Sequence, residues 1–149
     1  MKTDIVVFLG HGNSSGDALS REENGKIANI IDTENIYLCK GKRVYVTCCH
    51  SAEKLGPEAV SKGINFYMGF VGKFLLVPYG IEFIVSYCSI FGLIQLLNGA
   101  CPVQAWTRMQ FEHKYWIDRL ENEQDELDPN WFLARAVLKS NMTNSKLCI

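Results

Sequence analysis

The stretch VVFLGHGNSSG, residues 6–16, joins an apolar run to a segment rich in glycine and serine. It begins as a run of β-branched and aromatic residues, which is typical of a buried strand. The run ends in Gly-His-Gly at residues 10–12, and packing alone does not favour that ending, because glycine has no side chain and adds conformational freedom to the unfolded chain. The glycines therefore indicate a place where the backbone turns sharply or closely approaches another group.

Four apolar runs have the pattern of buried strands, bounded by charges, glycines or turn residues. They are DIVVFLG (4–10), RVYVTCC (43–49), INFYMGF (64–70) and the weaker SKLCI (145–149). Strands that alternate with short helices predict parallel βαβ units with right-handed crossovers. The predicted fold class is therefore α/β.

Short helices are expected between the first three strands. Asp32 or Thr33 is expected to cap the first helix, which Gly41 ends. Ser51 is expected to cap the second helix, and Gly63 ends it.

The second half of the chain is predicted to be helical until the last strand. Residues 80–99 are almost wholly apolar, 102–127 are amphipathic with an acidic end, and 130–141 form a last helix. A longer apolar tract, from about Phe74 to Ala100, is just long enough to span a bilayer, but Glu82 within it would be costly in lipid. A buried helix is therefore preferred to a membrane span.

Composition narrows the class of function. The 149 residues, 48% of them hydrophobic, predict one domain over residues 1–149. The net charge of -1 gives no indication of nucleic acid or of an anionic membrane surface as a partner. Asp4 interrupts the apolar N-terminal run, and the six cysteines form no CxxC pair, so we expect reduced thiols in the cytoplasm. No cofactor and no metal are indicated.

His11 and Cys49 are the candidate catalytic pair. They end the first and second predicted strands, and catalytic groups of parallel sheets gather beyond the carboxyl ends of the strands. If those strands are neighbours, an imidazole can take the proton of a thiol nucleophile and deliver it to the leaving amine. The N–H groups of Gly12 and Cys49 are candidates to hold the developing oxyanion.

The two blocks together resemble the caspase-like cysteine peptidases, and among them the CHAT-domain branch. Their signature is a hydrophobic block that ends in His-Gly, followed by a second that ends in a small residue and Cys. In VTCCHSA (46–52), Thr47 and Cys48 stand at the Ser and Ala positions of the CHAT motif, and Cys49 stands at the nucleophile. The resemblance is close over residues 5–70 and looser beyond.

The resemblance implies a fold, a reaction and partners. The implied fold is a three-layer sandwich with a mostly parallel sheet of about four strands and helices on both faces. The implied reaction is the cleavage of a peptide bond in a protein or peptide substrate through a thioester acyl-enzyme. Related folds place two more strands ahead of the His-Gly strand, so we expect a regulatory or sheet-completing protein partner, or a homo-oligomer, to cover that edge.

Departures from the family pattern leave alternatives open. Residues 69–78 lack the acidic residue that the resemblance would place there. This absence argues against an acidic pocket that would bind a basic P1 residue of the substrate. A catalytically degenerate CHAT-like module with a regulatory or interaction role is one alternative. A different thiol or ester hydrolase is another, because HGNSSG (11–16) superficially resembles the oxyanion loop of α/β-hydrolases, although no G-x-S-x-G follows.

The remaining histidines and cysteines are weaker candidates. A zinc site from His11, Cys48, Cys49 and His50 lacks the usual ligand spacing. His50 is given no role, because an extended chain would point it away from the side of Cys49. His113 lies on the amphipathic helix, where a surface or core position is expected.

Overall fold

The four apolar runs form one mixed sheet in the computed structural model, which describes residues 5–77, 82–122 and 130–149. In chain order the elements are β1 (Ile5–Leu9), β2 (His11–Gly12), β3 (Ala18–Glu23), β4 (Lys26–Asp32), a 3-10 helix (Ile36–Cys39), β5 (Arg43–Thr47), α1 (Leu55–Ser61), β6 (Phe66–Phe70), α2 (Glu82–Leu97), α3 (Pro102–Asn122), α4 (Trp131–Asn144) and β7 (Ser145–Cys148). The predicted segments also include residues 4, 78–81 and 123–129, which lie outside the described residues.

The mixed sheet has the strand order β1-β5-β6-β7. β1 and β6 each run parallel to β5, whereas β7 runs antiparallel to β6. All five residues of β6 and four of the five in β5 are buried, as their continuous apolar sequences predict. The prediction of an α/β fold with a mostly parallel sheet of about four strands is confirmed.

β1 lies at one edge of this sheet, and it is less buried than the two central strands, β5 and β6. Val7 is 43% exposed and Leu9 is 66% exposed. Both belong to the run that the sequence predicted as a fully buried strand, and that expectation is wrong for this edge. Full burial requires a layer on each face of the strand, and the described residues cover these two side chains only in part.

A second, three-stranded sheet of order β2-β3-β4 was not predicted. Its hairpin turn is Asn24-Gly25, between Glu23 and its partner Lys26. Both turn residues have positive φ, 54° and 74°, as the tight two-residue hairpin turns favoured by Asn-Gly require. The Asn-Gly pair was therefore a local signal for this hairpin.

The first short helix is a single 3-10 turn with Asn35 at its N-cap position, so the predicted caps, Asp32 and Thr33, are wrong. Asp32 instead ends β4, and its carboxylate accepts hydrogen bonds from the N–H groups of Glu34 and Asn35 at 2.9 and 3.0 Å. These bonds form a turn ahead of the helix, which is the common alternative use of an aspartate side chain. Gly41, with φ of 74°, follows the helix as predicted.

Ser51 does not cap α1, because the helix begins four residues later and has Lys54 at its N-cap position. The Ser51 hydroxyl is buried and joins the turn after β5 to β6: it donates to the carbonyl of Cys48 at 3.0 Å and accepts from the N–H of Phe70 at 3.1 Å. Gly63, with φ of 88°, follows α1 as predicted.

The chain divides into two compact units. The first comprises the residues up to Phe74 together with Asn144–Ile149, and it holds both sheets and α1. The second, Leu75–Thr143, is helical. Its core includes Val85 and Cys88 from α2, Leu120 from α3 and Leu138 from α4.

The apolar tract begins its described helix at Glu82, which lies in the first turn of α2. A carboxylate is favourable there, because the N-terminus of a helix carries partial positive charge. Within the described ranges, no helix combines the length and hydropathy needed to cross a membrane.

Candidate functional site

His11 and Cys49 follow two strands that lie side by side, as the argument from sequence required. β1 and β5 are parallel, and Leu9 pairs with Thr47 in the register. Each candidate residue therefore lies two positions beyond a matched pair of strand residues. The two backbones therefore leave the sheet side by side, at the carboxyl ends of β1 and β5.

The space beside Gly12 explains why a glycine follows His11. A β-carbon built on Gly12 would lie 1.7 Å from the carbonyl oxygen of Cys49 and 2.9 Å from its carbonyl carbon. No side chain fits in that space, because real β-carbons essentially never approach another heavy atom to less than 3.0 Å. The glycine is required for the close approach of the His-Gly backbone to the Cys49 backbone.

The NSSGD loop that follows His-Gly is held by its own side chains. Asn13 Oδ1 accepts from the N–H groups of Asp17 and Ala18 at 3.1 and 3.2 Å, and Asp17 Oδ1 accepts from Asn13 Nδ2 and from Ser15 Oγ. Hydrogen bonds from Asn13 and then Ser15 lower the pKa of the Asp17 carboxyl. The loop that follows His11 and Gly12 is thus ordered by side-chain hydrogen bonds.

Gly16 joins this loop to the segment after Cys49. Its carbonyl accepts hydrogen bonds from Lys54 N at 3.1 Å and Leu55 N at 2.9 Å, which are the first N–H groups of α1. Gly16 has φ of 72°, and a β-carbon there would lie 2.8 Å from Cβ of Glu53. Both the conformation and the close approach require glycine.

Cys49 and His11 are not joined by a hydrogen bond in this structure. Cys49 is partly buried, and its Sγ lies 3.5 Å from the carbonyl oxygen of Phe74, to which the thiol donates. The backbone of His11 pairs with Ser20 in the small sheet, and its side chain is exposed. The structure therefore brings the two backbones together at the sheet edge and leaves the thiol bonded to a backbone carbonyl.

Four other thiols are disfavoured as nucleophiles by their surroundings. Burial raises the pKa of Cys48 and of Cys88 to about 12, and burial also raises the pKa of Cys39 and Cys148. Thiolates are the reactive form, so these four groups are weak nucleophiles at neutral pH. All six cysteines are free thiols.

His50 occupies a left-handed conformation, with φ of 56°. The expectation that its side chain points away from Cys49 assumed an extended chain, and that assumption is wrong. His50 Nδ1 lies 2.6 Å from Glu53 Oε1. The hydrogen bond with His50, followed by that from the N–H of Gly72, lowers the pKa of the Glu53 carboxyl.

The predicted candidates do not assemble a metal site. Among the described residues, no group of three or more histidine, cysteine, aspartate or glutamate side chains is arranged to hold a metal ion. His50, one of the four residues in the zinc alternative, is instead paired with Glu53.

Sequence reasoning missed three residues around the candidate nucleophile: Glu53, Gly72 and Phe74. Each contacts Cys49 or its neighbour His50 through a hydrogen bond. Glu53 follows His50 by three residues, a spacing that suits a side-chain pair in a turn. Gly72 and Phe74 come from a distant part of the chain, and no local pattern indicates them.

Comparison of the chain with protein-family models, with curated proteins and with solved structures finds no match.

Proposed function

We propose that this protein is a cysteine endopeptidase of the caspase-like, CHAT-domain type, with Cys49 as nucleophile and His11 as general base. The observation that carries the proposal is the approach of Gly12 to Cys49 at the edge where β1 and β5 end side by side. A His-Gly backbone held against the residue that bears the thiol is what a thiol-imidazole pair needs from its scaffold.

The proposed reaction has two stages. His11 takes the proton of Cys49, the thiolate sulfur attacks the peptide carbonyl carbon, and the C–N bond breaks as His11 returns the proton to the leaving amine. A thioester links the acyl group to Cys49 until water, deprotonated by His11, hydrolyses it. The N–H groups of Gly12 and Cys49 are the proposed oxyanion donors.

For this reaction the Cys49 thiol must exchange its present acceptor, the Phe74 carbonyl, for the His11 imidazole. His11 is exposed, so a rotation of its side chain meets little steric resistance. Catalytic hydrogen bonds often tighten only when substrate is bound. The structure therefore corresponds, in this proposal, to a resting enzyme.

A catalytically degenerate interaction module is the second candidate. The observation that favours it is the hydrogen bond of the Cys49 thiol to Phe74 in place of His11. In that case the fold would act by binding another protein, and neither His11 nor Cys49 would be needed for its activity.

A partner at the edge of the sheet is part of both proposals. β1 pairs with β5 on one side, and among the described residues no strand covers its other side. Exposed edge strands are natural templates for pairing with another chain, and Val7 and Leu9 add apolar surface there. We propose a sheet-completing protein or a second copy of this chain as the occupant.

The proposed location is the cytoplasm. Six free cysteines in 149 residues fit a reducing compartment better than an oxidising one.

Hydrolysis of a peptide library, set beside hydrolysis of small esters, tests the proposed function. A peptidase should cleave peptides, and Cys49→Ala and His11→Ala should each lower kcat/KM by about a hundredfold or more. Cys101→Ala, which changes an exposed cysteine in the other unit, is the matched control and should leave the rate unchanged. Cleavage of esters alone would favour a different hydrolase, and no cleavage in any variant would favour the degenerate module.

A further inference from the structure

The segment after β6, residues 71–74, lies beside Cys49 and is held by hydrogen bonds from two sides; we call it the β6 loop. On one side Asn144 accepts from Val71 N through its carbonyl at 2.7 Å and donates from its Nδ2 to the carbonyl of Lys73 at 3.0 Å. These bonds connect the β6 loop to Asn144, the residue immediately before β7. Asn144 does not bind Gly72 or Phe74 in these contacts; their backbone groups are bound by residues on the side of Cys49.

On that second side, His50 and Glu53 bind Gly72 at both of its backbone groups. The N–H of His50 donates to the Gly72 carbonyl at 2.6 Å, and the N–H of Gly72 donates to Glu53 Oε1 at 2.8 Å. The same Glu53 oxygen lies 2.6 Å from His50 Nδ1. One carboxylate oxygen therefore joins the turn after Cys49 to the β6 loop.

Two residues beyond Gly72, the carbonyl of Phe74 accepts the hydrogen bond of the Cys49 thiol. This bond requires the thiol form, because a thiolate has no proton to donate. The position of the β6 loop thus bears directly on whether the sulfur becomes a nucleophile.

We propose that Glu53 is a positioning residue that, by binding Gly72, holds the Phe74 carbonyl against Cys49 and keeps the Cys49 S–H hydrogen-bonded to that carbonyl in the resting protein. The inference rests on the proposed function only in that it concerns the same sulfur. Release of the β6 loop from Glu53 frees Cys49 for its base.

Charge keeps this contact in place at neutral pH. Hydrogen bonds from His50 and Gly72, and to a smaller extent the positive charge of Lys54, lower the pKa of Glu53. The carboxylate therefore stays ionised and remains an acceptor for both groups. Release has to come from a movement of the β6 loop itself, as when a substrate or partner binds it.

The test is the rate at which iodoacetamide alkylates Cys49 at pH 7, measured by fragment-ion mass spectrometry of proteolytic peptides, which assigns each label to one cysteine. Glu53→Ala removes the acceptor of the Gly72 N–H and should raise the rate at Cys49 about threefold or more, the change expected from one hydrogen bond of ordinary net strength. Glu53→Gln retains a side-chain oxygen for that N–H and should stay within about twofold of wild type. Cys101, exposed and in the other unit, should react at the same rate in all three proteins.

An unchanged or slower rate at Cys49 in Glu53→Ala would overturn the proposal. Faster alkylation of the buried Cys48 together with Cys49 would also overturn it, because that result means local unfolding. If Glu53→Ala does not fold, Glu53→Asp decides: the side chain is one methylene shorter, so its carboxylate no longer reaches the Gly72 N–H that Glu53 binds at 2.8 Å. A faster rate at Cys49 supports the proposal and an unchanged rate overturns it. Alkylation needs no peptide hydrolysis, so a failure of the proposed function would leave this result intact.

Discussion

The backbone of Gly12 lies so close to Cys49 that a β-carbon on the glycine would stand 1.7 Å from the Cys49 carbonyl oxygen. This contact joins the loop after β1 to the turn after β5, and neither of its partners is a flexible side chain. The geometry of the candidate site therefore depends on a glycine at this position.

Gly12→Ala should destabilise the first unit by about 3 kcal/mol or more, because the clash is with backbone and one of the two segments has to move. Urea unfolding followed by circular dichroism measures the change. Gly25→Ala is the control: its positive φ makes alanine cost about 1–2 kcal/mol, but no atom lies within 4 Å of the added carbon. Equal losses in the two variants would show that the contact with Cys49 is not a strong constraint.

Ser51→Ala should lower the free energy of unfolding by about 1–3 kcal/mol. The hydroxyl accepts from the N–H of Phe70, which lies in a fully buried strand, and its loss leaves that donor without this partner. Ser61→Ala removes an exposed hydroxyl that bonds the Glu58 carbonyl and should change stability by less than about 0.5 kcal/mol. The same urea titration compares the two, and a loss at Ser61 as large as at Ser51 would contradict the assignment.

His113 should make the stability of the helical unit depend on pH. Its side chain is fully buried, Nδ1 bonds the carbonyl of Met109, and Nε2 has no hydrogen-bond partner within residues 5–77, 82–122 and 130–149. Burial lowers the pKa of this imidazole below its ordinary value of 6.5. The unfolded chain then binds the proton more readily than the folded one, so the stabilisation is complete above pH 6.5 and is lost as the pH falls from there toward the folded pKa.

Tryptophan fluorescence can follow the unfolding of the helical unit at each pH, because Trp106, Trp116 and Trp131 all lie in that unit. Between pH 7 and pH 5 the free energy of unfolding should fall by at most about 1.4 kcal/mol per pH unit on account of this group. His113→Phe should reduce that dependence, whereas His11→Ala, which changes an exposed histidine, should retain it. A dependence that is the same in all three proteins would contradict the role given to His113.

The main sheet could be predicted from sequence because its signals are local. Each of its four strands is a short apolar run, and the alternation with helices indicates parallel neighbours. The β3–β4 hairpin also had a local signal in Asn24-Gly25, but its strands carry charged and polar residues and lack the apolar run by which the others were found.

The surroundings of Cys49 could be predicted only in part. His11, Gly12 and Cys49 follow from the ends of neighbouring strands. The left-handed turn at His50 depends instead on bonds to Gly72, which lies 22 residues further along the chain. The acceptor of the Cys49 thiol, Phe74, likewise comes from a segment whose position no spacing in the sequence indicates.

Labelling with a library of peptidyl acyloxymethyl ketones, read by mass spectrometry, tests the central claim most directly. We expect wild type to be labelled at Cys49 alone, Cys49→Ala to remain unlabelled, and His11→Ala to be labelled at Cys49 at least about a hundredfold more slowly. The peptide that reacts fastest would also report the cleavage preference. Labelling of Cys49 no faster than that of the exposed Cys101, and unaffected by His11→Ala, would contradict the account.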